Sequence, residues 1–287
     1  MGRITWRMMV VLLLLLAALS AWGQAAGGTA APAGTAAGPT EPAPRPATPN
    51  YLAEGNALLE KKDYSKALSK FMMAWLDMPD NPSVIVRIGQ VFANTGKLPE
   101  ATRFFAFAIK LNSGYEEPVV ELARAYLKLN RPDQAIVLLE DPLRAKTFAN
   151  SFRCQHLLGM AYMSQGKYAK AVQFFKVAIT LAPSQGFVYG DLGNAYYLGK
   201  QYQDAVDSYN QAIAKSPKDA MAFLNRSLAF EKMAKYSDAA ASLEQFLTMA
   251  NAPQDHPQRK RLEELKKNAI TPPAPAAPAA PATPEAK

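Results

Sequence analysis

Few residues in this chain have the types and spacings that support catalysis or metal binding. His156 and His256 are the two histidines, and neither has carboxylates or thiols beside it at the spacing of a metal site. Gly-Lys pairs begin at positions 96, 166 and 199, but none has the glycine five residues earlier that a phosphate-binding loop requires. The sequence contains no G-x-S-x-G or G-x-G-x-x-G motif. We therefore expect a non-enzymatic protein with no cofactor and no bound metal.

The single cysteine and the charge distribution bear on redox and nucleic-acid functions. Cys154 has no second cysteine for an intramolecular disulfide, so we interpret it as a small buried hydrophobe, with a redox or intermolecular role as the alternative. The formal net charge is +8, and the dense basic stretch at 259–267 contains two glutamates and no aromatic residue. Such a stretch is typical of a solvated helix face rather than of a nucleic-acid site. We expect protein partners and no nucleic acid.

Three series of residues recur along the middle of the chain with the same period. Small residues occur at intervals of 34, 34, 36, 34 and 34 residues, at Gly55, Gly89, Ala123, Gly159, Gly193 and Ser227. Alanine follows each of them 12 residues later, at Ala67, Ala101, Ala135, Ala171, Ala205 and Ala239. An aromatic residue or leucine comes four residues after each alanine, at Phe71, Phe105, Leu139, Phe175, Tyr209 and Leu243. Such a period indicates six structural repeats.

Each repeat has the pattern of a helical hairpin. In the fifth repeat, apolar and small residues fall on one helix face at spacings of three and four, at Tyr189, Leu192, Gly193 and Tyr196. We expect the turn glycines Gly96, Gly166 and Gly199 to adopt the left-handed conformation that ends the first helix. A single hairpin leaves its apolar side unburied, so we expect the six hairpins to stack.

The spacing of these residues resembles the tetratricopeptide repeat. The shared features are the 34-residue period, a small residue at position 8, alanine at 20, an aromatic at 24, alanine at 27 and proline at 32. The resemblance implies an all-α fold, a right-handed superhelical solenoid of helix-turn-helix hairpins with disordered Pro/Ala-rich ends. We delimit six repeats within 48–253, at 48–81, 82–115, 116–149, 152–185, 186–219 and 220–253.

The third and the last repeats depart from the pattern. Pro142 stands where the second helix of the third repeat should have alanine, so we expect a shortened or bent helix over 140–143. This break suggests two three-repeat halves with a hinge or a change of pitch between them. After the sixth repeat, we predict a capping helix within 254–270 that turns Leu262 and Leu265 inward.

The two ends of the chain do not follow the repeat pattern. Residues 1–23 are predicted to be a signal peptide, because Arg3 and Arg7 precede an apolar run and small residues follow at the spacing that signal peptidase requires. An uncleaved membrane anchor is the alternative, although the run is shorter than the roughly 20 residues that span a bilayer. Segments 24–47 and 271–287 are rich in Ala and Pro, and we predict a disordered linker and a disordered tail.

The resemblance also indicates where a partner would bind. In this family a peptide lies in the concave groove formed by positions 2, 5, 6, 9, 12 and 13 of the first helices. The candidate groove residues are Arg124, Arg153, His156, Met160, Asn194, Tyr197 and Asn225. We expect the asparagines to hydrogen-bond an extended peptide backbone and to lie off the repeat-packing face, the methionine and the tyrosine to form apolar pockets, and an arginine to meet an acid. Packing between hairpins is the alternative role for the apolar residues.

One known variant of the groove does not fit this sequence. The relatives that grip a chaperone tail hold its terminal carboxylate with lysine, asparagine and arginine side chains. Asn194 and Asn225 match two of those positions, but Gly190 stands where the first lysine would be. We therefore do not expect a carboxylate clamp.

Together these patterns predict a non-enzymatic scaffold or adaptor that binds a protein or peptide partner. The signal sequence predicts an exported protein, periplasmic or associated with the bacterial cell envelope, with membrane anchoring as the alternative. Two further functions remain open, a pilotin-like assembly factor of type IV pili or secretion systems and an accessory subunit of an envelope enzyme complex. Self-association is a third possibility. The absence of a cysteine near the predicted cleavage site argues against the lipid anchor of a pilotin.

Overall fold

A computed structural model describes residues 50–271 of the chain. The predicted signal peptide at 1–23, the linker at 24–47 and the tail after residue 271 lie outside these residues. Within 50–271 the chain forms fourteen α-helices and no strand. The predicted all-α class is confirmed.

The helices form successive antiparallel hairpins, and each hairpin packs against the next. The first three hairpins are α1 (Tyr51–Glu60) with α2 (Tyr64–Asp77), α3 (Pro82–Asn94) with α4 (Leu98–Leu111), and α5 (Glu116–Lys128) with α6 (Pro132–Glu140), which the short α7 (Pro142–Thr147) follows. The next three are α8 (Phe152–Ser164) with α9 (Tyr168–Leu181), α10 (Gly186–Leu198) with α11 (Tyr202–Lys215), and α12 (Ala220–Lys232) with α13 (Tyr236–Met249), and α14 (Pro257–Ile270) ends the series.

The residue that ends the first helix of each hairpin adopts a left-handed conformation. The six residues lie at equivalent repeat positions and have φ between 56° and 80°, at Lys62, Gly96, Asn130, Gly166, Lys200 and Ala234. The expectation for Gly199 is wrong, because its φ is −75° and Lys200 has the positive φ of 63°. The repeat period places residue 200 in register with Gly96 and Gly166. Gly199 therefore lies one residue before the left-handed position of the fifth repeat. Glycine favours this conformation but is not required for it.

The three residue series form the centre of each hairpin. All six alanines of the second series are fully buried, and the aromatic or leucine residues of the third are at most 4% exposed. A Cβ atom added to Gly193 would lie 2.5 Å from a ring carbon of Tyr209, and the glycines that face Phe71, Phe105 and Phe175 show the same close approach. The two repeats with Ala123 or Ser227 in the small position carry leucine instead of an aromatic ring. The small residue and its large partner are therefore matched in volume within each repeat.

The second helix of the third repeat is interrupted. It ends at Glu140 and α7 begins at Pro142, while Asp141 between them has φ −51° and ψ 128°. A proline disfavours the helical conformation of the residue that precedes it, which accounts for the break. The Asp141 side chain accepts a hydrogen bond from the backbone N–H of Arg144 and begins the new helix. The structure thus has the helix break that Pro142 predicted.

The last helix packs against the sixth hairpin. Leu262 and Leu265 of α14 are buried in a cluster with residues of α13, such as Leu243 and Phe246. Arg261 of α14 forms an ion pair with Glu231 of α12. α14 therefore covers apolar surface that the sixth hairpin would otherwise expose.

Candidate functional site

The first helices of successive repeats present one continuous set of side chains. These helices are α1, α3, α5, α8, α10 and α12, and we call their positions 2, 5, 6, 9, 12 and 13 the first-helix face. All seven predicted groove residues lie on this face. Hydrogen bonds between repeats cross it, and their pattern differs between its two halves.

In the second and third repeats, the first-helix face is polar and its groups bind one another. Arg87 and Gln90 of α3 both donate to the same carboxylate oxygen of Glu117 in α5, each over 3.0 Å. The Tyr115 hydroxyl donates to the other oxygen of Glu117. On this part of the face, most polar side chains are already hydrogen-bonded within the protein, so few remain for a ligand to bind.

The two arginines predicted to meet an acid already have carboxylate partners. Arg124 pairs with Glu121 over 2.9 Å in the same helix. Arg153 pairs with Glu116 of the preceding repeat over 3.1 Å, and Ser151 also donates to that carboxylate. Burial acts to raise the pKa of Glu116, but the hydrogen bonds from Ser151 and Arg153 outweigh it and hold this pKa below its usual value. An acidic ligand would therefore compete with a glutamate at either arginine.

His156 connects the fourth repeat to the fifth. Its Nε2 lies 2.7 Å from Oδ2 of Asp191. The imidazole ring also contacts the rings of Phe175 and Phe187, with centroids 5.6 and 5.2 Å away. Because its Nε2 is engaged by Asp191, His156 acts here as a link between the fourth and fifth repeats.

Asn194 and Asn225 are in contact, which joins the fifth and sixth repeats. Oδ1 of Asn194 accepts from the Tyr209 hydroxyl over 2.8 Å and from Nδ2 of Asn225 over 3.1 Å. The expectation that both asparagines lie off the repeat-packing face is therefore wrong, because packing between α10 and α12 brings them together. Burial raises the pKa of Tyr209, so its hydroxyl remains a donor at neutral pH. That donor and Asn225 fix the orientation of the Asn194 amide.

An apolar cavity of about 260 Å³ opens beside this asparagine pair. Its lining residues come from α8, α10, α11 and α12, namely Met163, Asn194, Tyr197, Leu198, Tyr209, Asn225 and Leu228. Three of the predicted groove residues, Asn194, Tyr197 and Asn225, thus meet at one site. Arg124, Arg153, His156 and Met160 do not line it.

Sequence reasoning did not select Leu198 and Leu228 for the site. They occupy positions 13 and 9 of their first helices, and that placement was the signal that could have identified them. Leu198 is 46% exposed, and Phe187 and Met221 on the same face are 47% and 54% exposed. The fifth and sixth repeats therefore expose large apolar side chains on the first-helix face, whereas among the described residues the second and third repeats expose none there.

A second cavity of about 480 Å³ lies at the broken helix of the third repeat. Its lining includes Val137 with Asp133, Asp141 and Arg144. Asp141 and Arg144 form an ion pair, and Asp133 accepts a hydrogen bond from Gln165. Its polar groups are therefore largely held by neighbouring side chains.

Within 50–271, the groups needed for metal or nucleophile chemistry are not assembled. No three His, Cys, Asp or Glu side chains of the described residues are grouped so that they could hold a metal ion. Cys154 is buried, and burial raises the pKa of its thiol, which suppresses the reactive thiolate. None of the helices in this range is both long and apolar enough to cross a membrane.

Comparison with known proteins identifies the repeats. Family models described as "Tetratricopeptide repeat" and "TPR repeat" match residues 120–186 and 193–233. Tetratricopeptide repeat protein 21A of Mus musculus is 28% identical over 129 residues, which cover 42% of this chain and 10% of the mouse protein. The chain therefore spans about a tenth of the length of that relative.

Two solved structures share the fold at low sequence identity. The type IV pilus biogenesis factor PilW is 15% identical with a TM-score of 0.65, and the match covers 71% of this chain and 94% of PilW. A chain of the APC/C hetero-tetramer Cut9-Hcn1 is 21% identical with a TM-score of 0.62, over 77% of this chain and 42% of that chain. At these identities, the matches establish a solenoid of the same kind of hairpins.

Proposed function

Because this chain is a tetratricopeptide-repeat protein, we propose that it is a non-enzymatic scaffold of the bacterial cell envelope that binds a segment of a partner protein. The cavity beside Asn225 carries this proposal. It combines an apolar lining with an amide group and opens on the first-helix face, where Phe187, Leu198 and Met221 are exposed. Exposed apolar surface of this kind is typical of a protein-binding site.

We propose that the partner binds the fourth to sixth repeats rather than the whole first-helix face. In the second and third repeats, the polar side chains already hydrogen-bond one another, so a ligand would have to displace internal bonds. In the fifth and sixth repeats, Phe187, Leu198 and Met221 leave apolar surface in water that a partner would cover. Covering this apolar surface provides a larger gain in free energy than binding at the second and third repeats does.

The proposed envelope location rests on residues 1–23, whose charge and apolar pattern is that of a signal peptide. The Ala/Pro-rich segment 24–47 would then act as a spacer between the membrane or its processing site and the repeats. Mass spectrometry of the N-terminus of the protein isolated from its own cells tests this step. A mature chain that begins at Gln24 agrees with export and cleavage. A chain that retains residues 1–23 in the membrane fraction indicates an anchor, and one that retains them in the cytosol contradicts the location.

A second candidate function is that of a pilus assembly factor. The observation in its favour is the match to PilW, which extends over 94% of that protein. Co-purification of type IV pilus components with the protein from envelope extracts would support this function. Recovery of an envelope synthase or polymerase instead would favour the accessory-subunit role.

Partner capture can be tested with two matched charge substitutions. Leu198→Glu places a carboxylate at the cavity, whereas Val177→Glu places one on α9, the second helix of the fourth repeat, at a position of similar exposure, 46% against 43%. Each variant, expressed from its own locus with a C-terminal tag, is purified after crosslinking in intact cells. We expect the partner recovered with the parent and with Val177→Glu to be lost with Leu198→Glu. Equal recovery from both variants would contradict binding at this face.

A further inference from the structure

The cavity on the first-helix face is large enough for one bulky apolar side chain. Its volume is about 260 Å³, and an apolar cavity of about 150 Å³ admits benzene. None of its lining residues carries a carboxylate, ammonium or guanidinium group. A charged side chain would lose its hydration there without gaining a counterion, whereas a leucine, methionine or phenylalanine would bury apolar surface.

Asn225 provides a hydrogen-bonding group whose direction the protein itself fixes. Oδ1 of Asn194 accepts from both Tyr209 and Asn225, so its two lone pairs are occupied. Nδ2 of Asn225 therefore faces Asn194, and Oδ1 and the second N–H are the side-chain groups that this residue of the cavity lining has left for a ligand. Among the described residues, no hydrogen-bond partner is seen for these two groups. An acceptor beside a donor complements the N–H and C=O groups of an extended peptide.

Four charged side chains on or beside this face are already paired, whereas Lys232 of α12 is exposed and has no ion-pair partner among the described residues. Asp191 is bound to His156, and Glu231 is bound to Arg261. A charged group of a ligand would have to compete with these pairs or to bind Lys232, which does not line the cavity. Lys232, exposed at the end of α12, is the cation whose removal would reveal such a contact.

Building on the scaffold function proposed above, we propose that this site recognises an internal, uncharged and extended segment of the partner. One large apolar side chain of the segment enters the cavity, and one of its peptide groups pairs with the Asn225 amide. The site thus selects a stretch of sequence within a chain rather than a chain end.

Two display libraries of random nonapeptides test this recognition on the full-length protein. In one library both ends of the peptide are fused to carrier protein, and in the other the peptide ends in a free carboxylate. We expect the first library to yield binders that share one large apolar residue and no net charge. Binders that require a free carboxylate or acidic residues would overturn this inference and leave the scaffold function in place. A failure of both libraries would contradict short-segment binding at the face, and with it the proposed function.

Substitutions at the site then test the roles of individual residues. The binding of the strongest doubly fused peptide, synthesised with blocked ends, is measured by fluorescence anisotropy. Asn225→Ala should weaken binding about tenfold, the effect of losing one to two hydrogen bonds. Asn56→Ala, an asparagine on the same face of the first repeat, and Lys232→Ala should leave the affinity unchanged. Leu198→Trp, which fills the cavity from its exposed rim, should abolish binding.

Folding is monitored for each variant by circular dichroism during thermal unfolding, so that loss of binding is separated from loss of structure. A fully folded Asn225→Ala variant with parental affinity would overturn the role of the amide. Weaker binding by Lys232→Ala would show that a ligand charge is recognised, which also contradicts the inference.

Discussion

The contact between Gly193 and Tyr209 makes a quantitative prediction about the repeat core. A Cβ atom at position 193 would lie 2.5, 2.7 and 3.0 Å from three carbons of the Tyr209 ring, which is 1% exposed and hydrogen-bonded to Asn194. A Cβ atom at Gly190, three residues earlier in the same helix, would meet no atom within 4 Å. The methyl group of an alanine would therefore be crowded at position 193 and unobstructed at position 190.

The two sites predict opposite contributions to stability. Alanine is preferred over glycine inside a helix by about 1 kcal/mol, so Gly190→Ala should raise the free energy of unfolding by about that amount. Gly193→Ala has the same helical gain but inserts a methyl group into a close-packed core, which costs about 1–3 kcal/mol. The two variants should therefore differ by about 1–3 kcal/mol, with Gly190→Ala the more stable.

Urea unfolding followed by circular dichroism measures this difference, and a compensating substitution tests its cause. Tyr209→Leu combined with Gly193→Ala recreates the alanine and leucine pairing of the third repeat. We expect the double variant to be more stable than the sum of the two single effects predicts, by at least about 1 kcal/mol. Equal stability of Gly193→Ala and Gly190→Ala, or strict additivity in the double variant, would refute the matched packing of small and large residues.

Further substitutions test the turns, the helix crossings and the buried thiol. Ala234 and Gly96 both have positive φ, which glycine adopts more readily than alanine. Ala234→Gly should therefore raise the free energy of unfolding by about 1 kcal/mol, and Gly96→Ala should lower it by a similar amount. Thermal unfolding measures both changes. Ala205→Leu should lower the free energy of unfolding by about 1–3 kcal/mol, because Ala205 is fully buried. Ala214→Leu, on the exposed side of α11, should be nearly neutral. A melting temperature of Ala205→Leu equal to that of the parent would refute the assigned register. Burial raises the pKa of the Cys154 thiol, so the unfolded chain releases this proton at a lower pH than the folded chain does. Above about pH 8.5 the parent should therefore lose stability relative to Cys154→Ala. Urea titrations at neutral and alkaline pH that show no such divergence would contradict the burial of this thiol.

The architecture could be predicted from the sequence because each repeat uses the same residue types for the same contacts. The alanine and aromatic series that identify the repeats are the residues that the structure buries at the helix crossings. Pro142 predicted the helix break, because proline restricts its own backbone and that of the preceding residue. These features depend on local conformation or on the period alone.

The details of the site depend on how adjacent repeats pack against one another. The sequence pattern of a single repeat does not determine that packing. Asn194 and Asn225 are 31 residues apart, and their contact depends on the packing of α10 against α12. The carboxylate that pairs with Arg153 likewise lies in the preceding repeat. Glycine is the usual signal of a left-handed residue and predicts Gly199 in the fifth repeat, but the residue with positive φ is Lys200, which the repeat register selects. The period was in this case a better guide than residue type.

A direct test of the central claim is to measure which helix face touches the partner inside the cell. A photo-crosslinking amino acid replaces Leu198 at the cavity in one strain and Val177 on α9 in the other, at sites of similar exposure. Irradiation followed by mass spectrometry identifies any covalent adduct and the partner residue that is attached. We predict one dominant adduct from position 198, attached within an uncharged segment of an envelope protein, and none from position 177. Adducts from position 177 alone, or from neither position, would contradict a scaffold that binds its partner through the first-helix face.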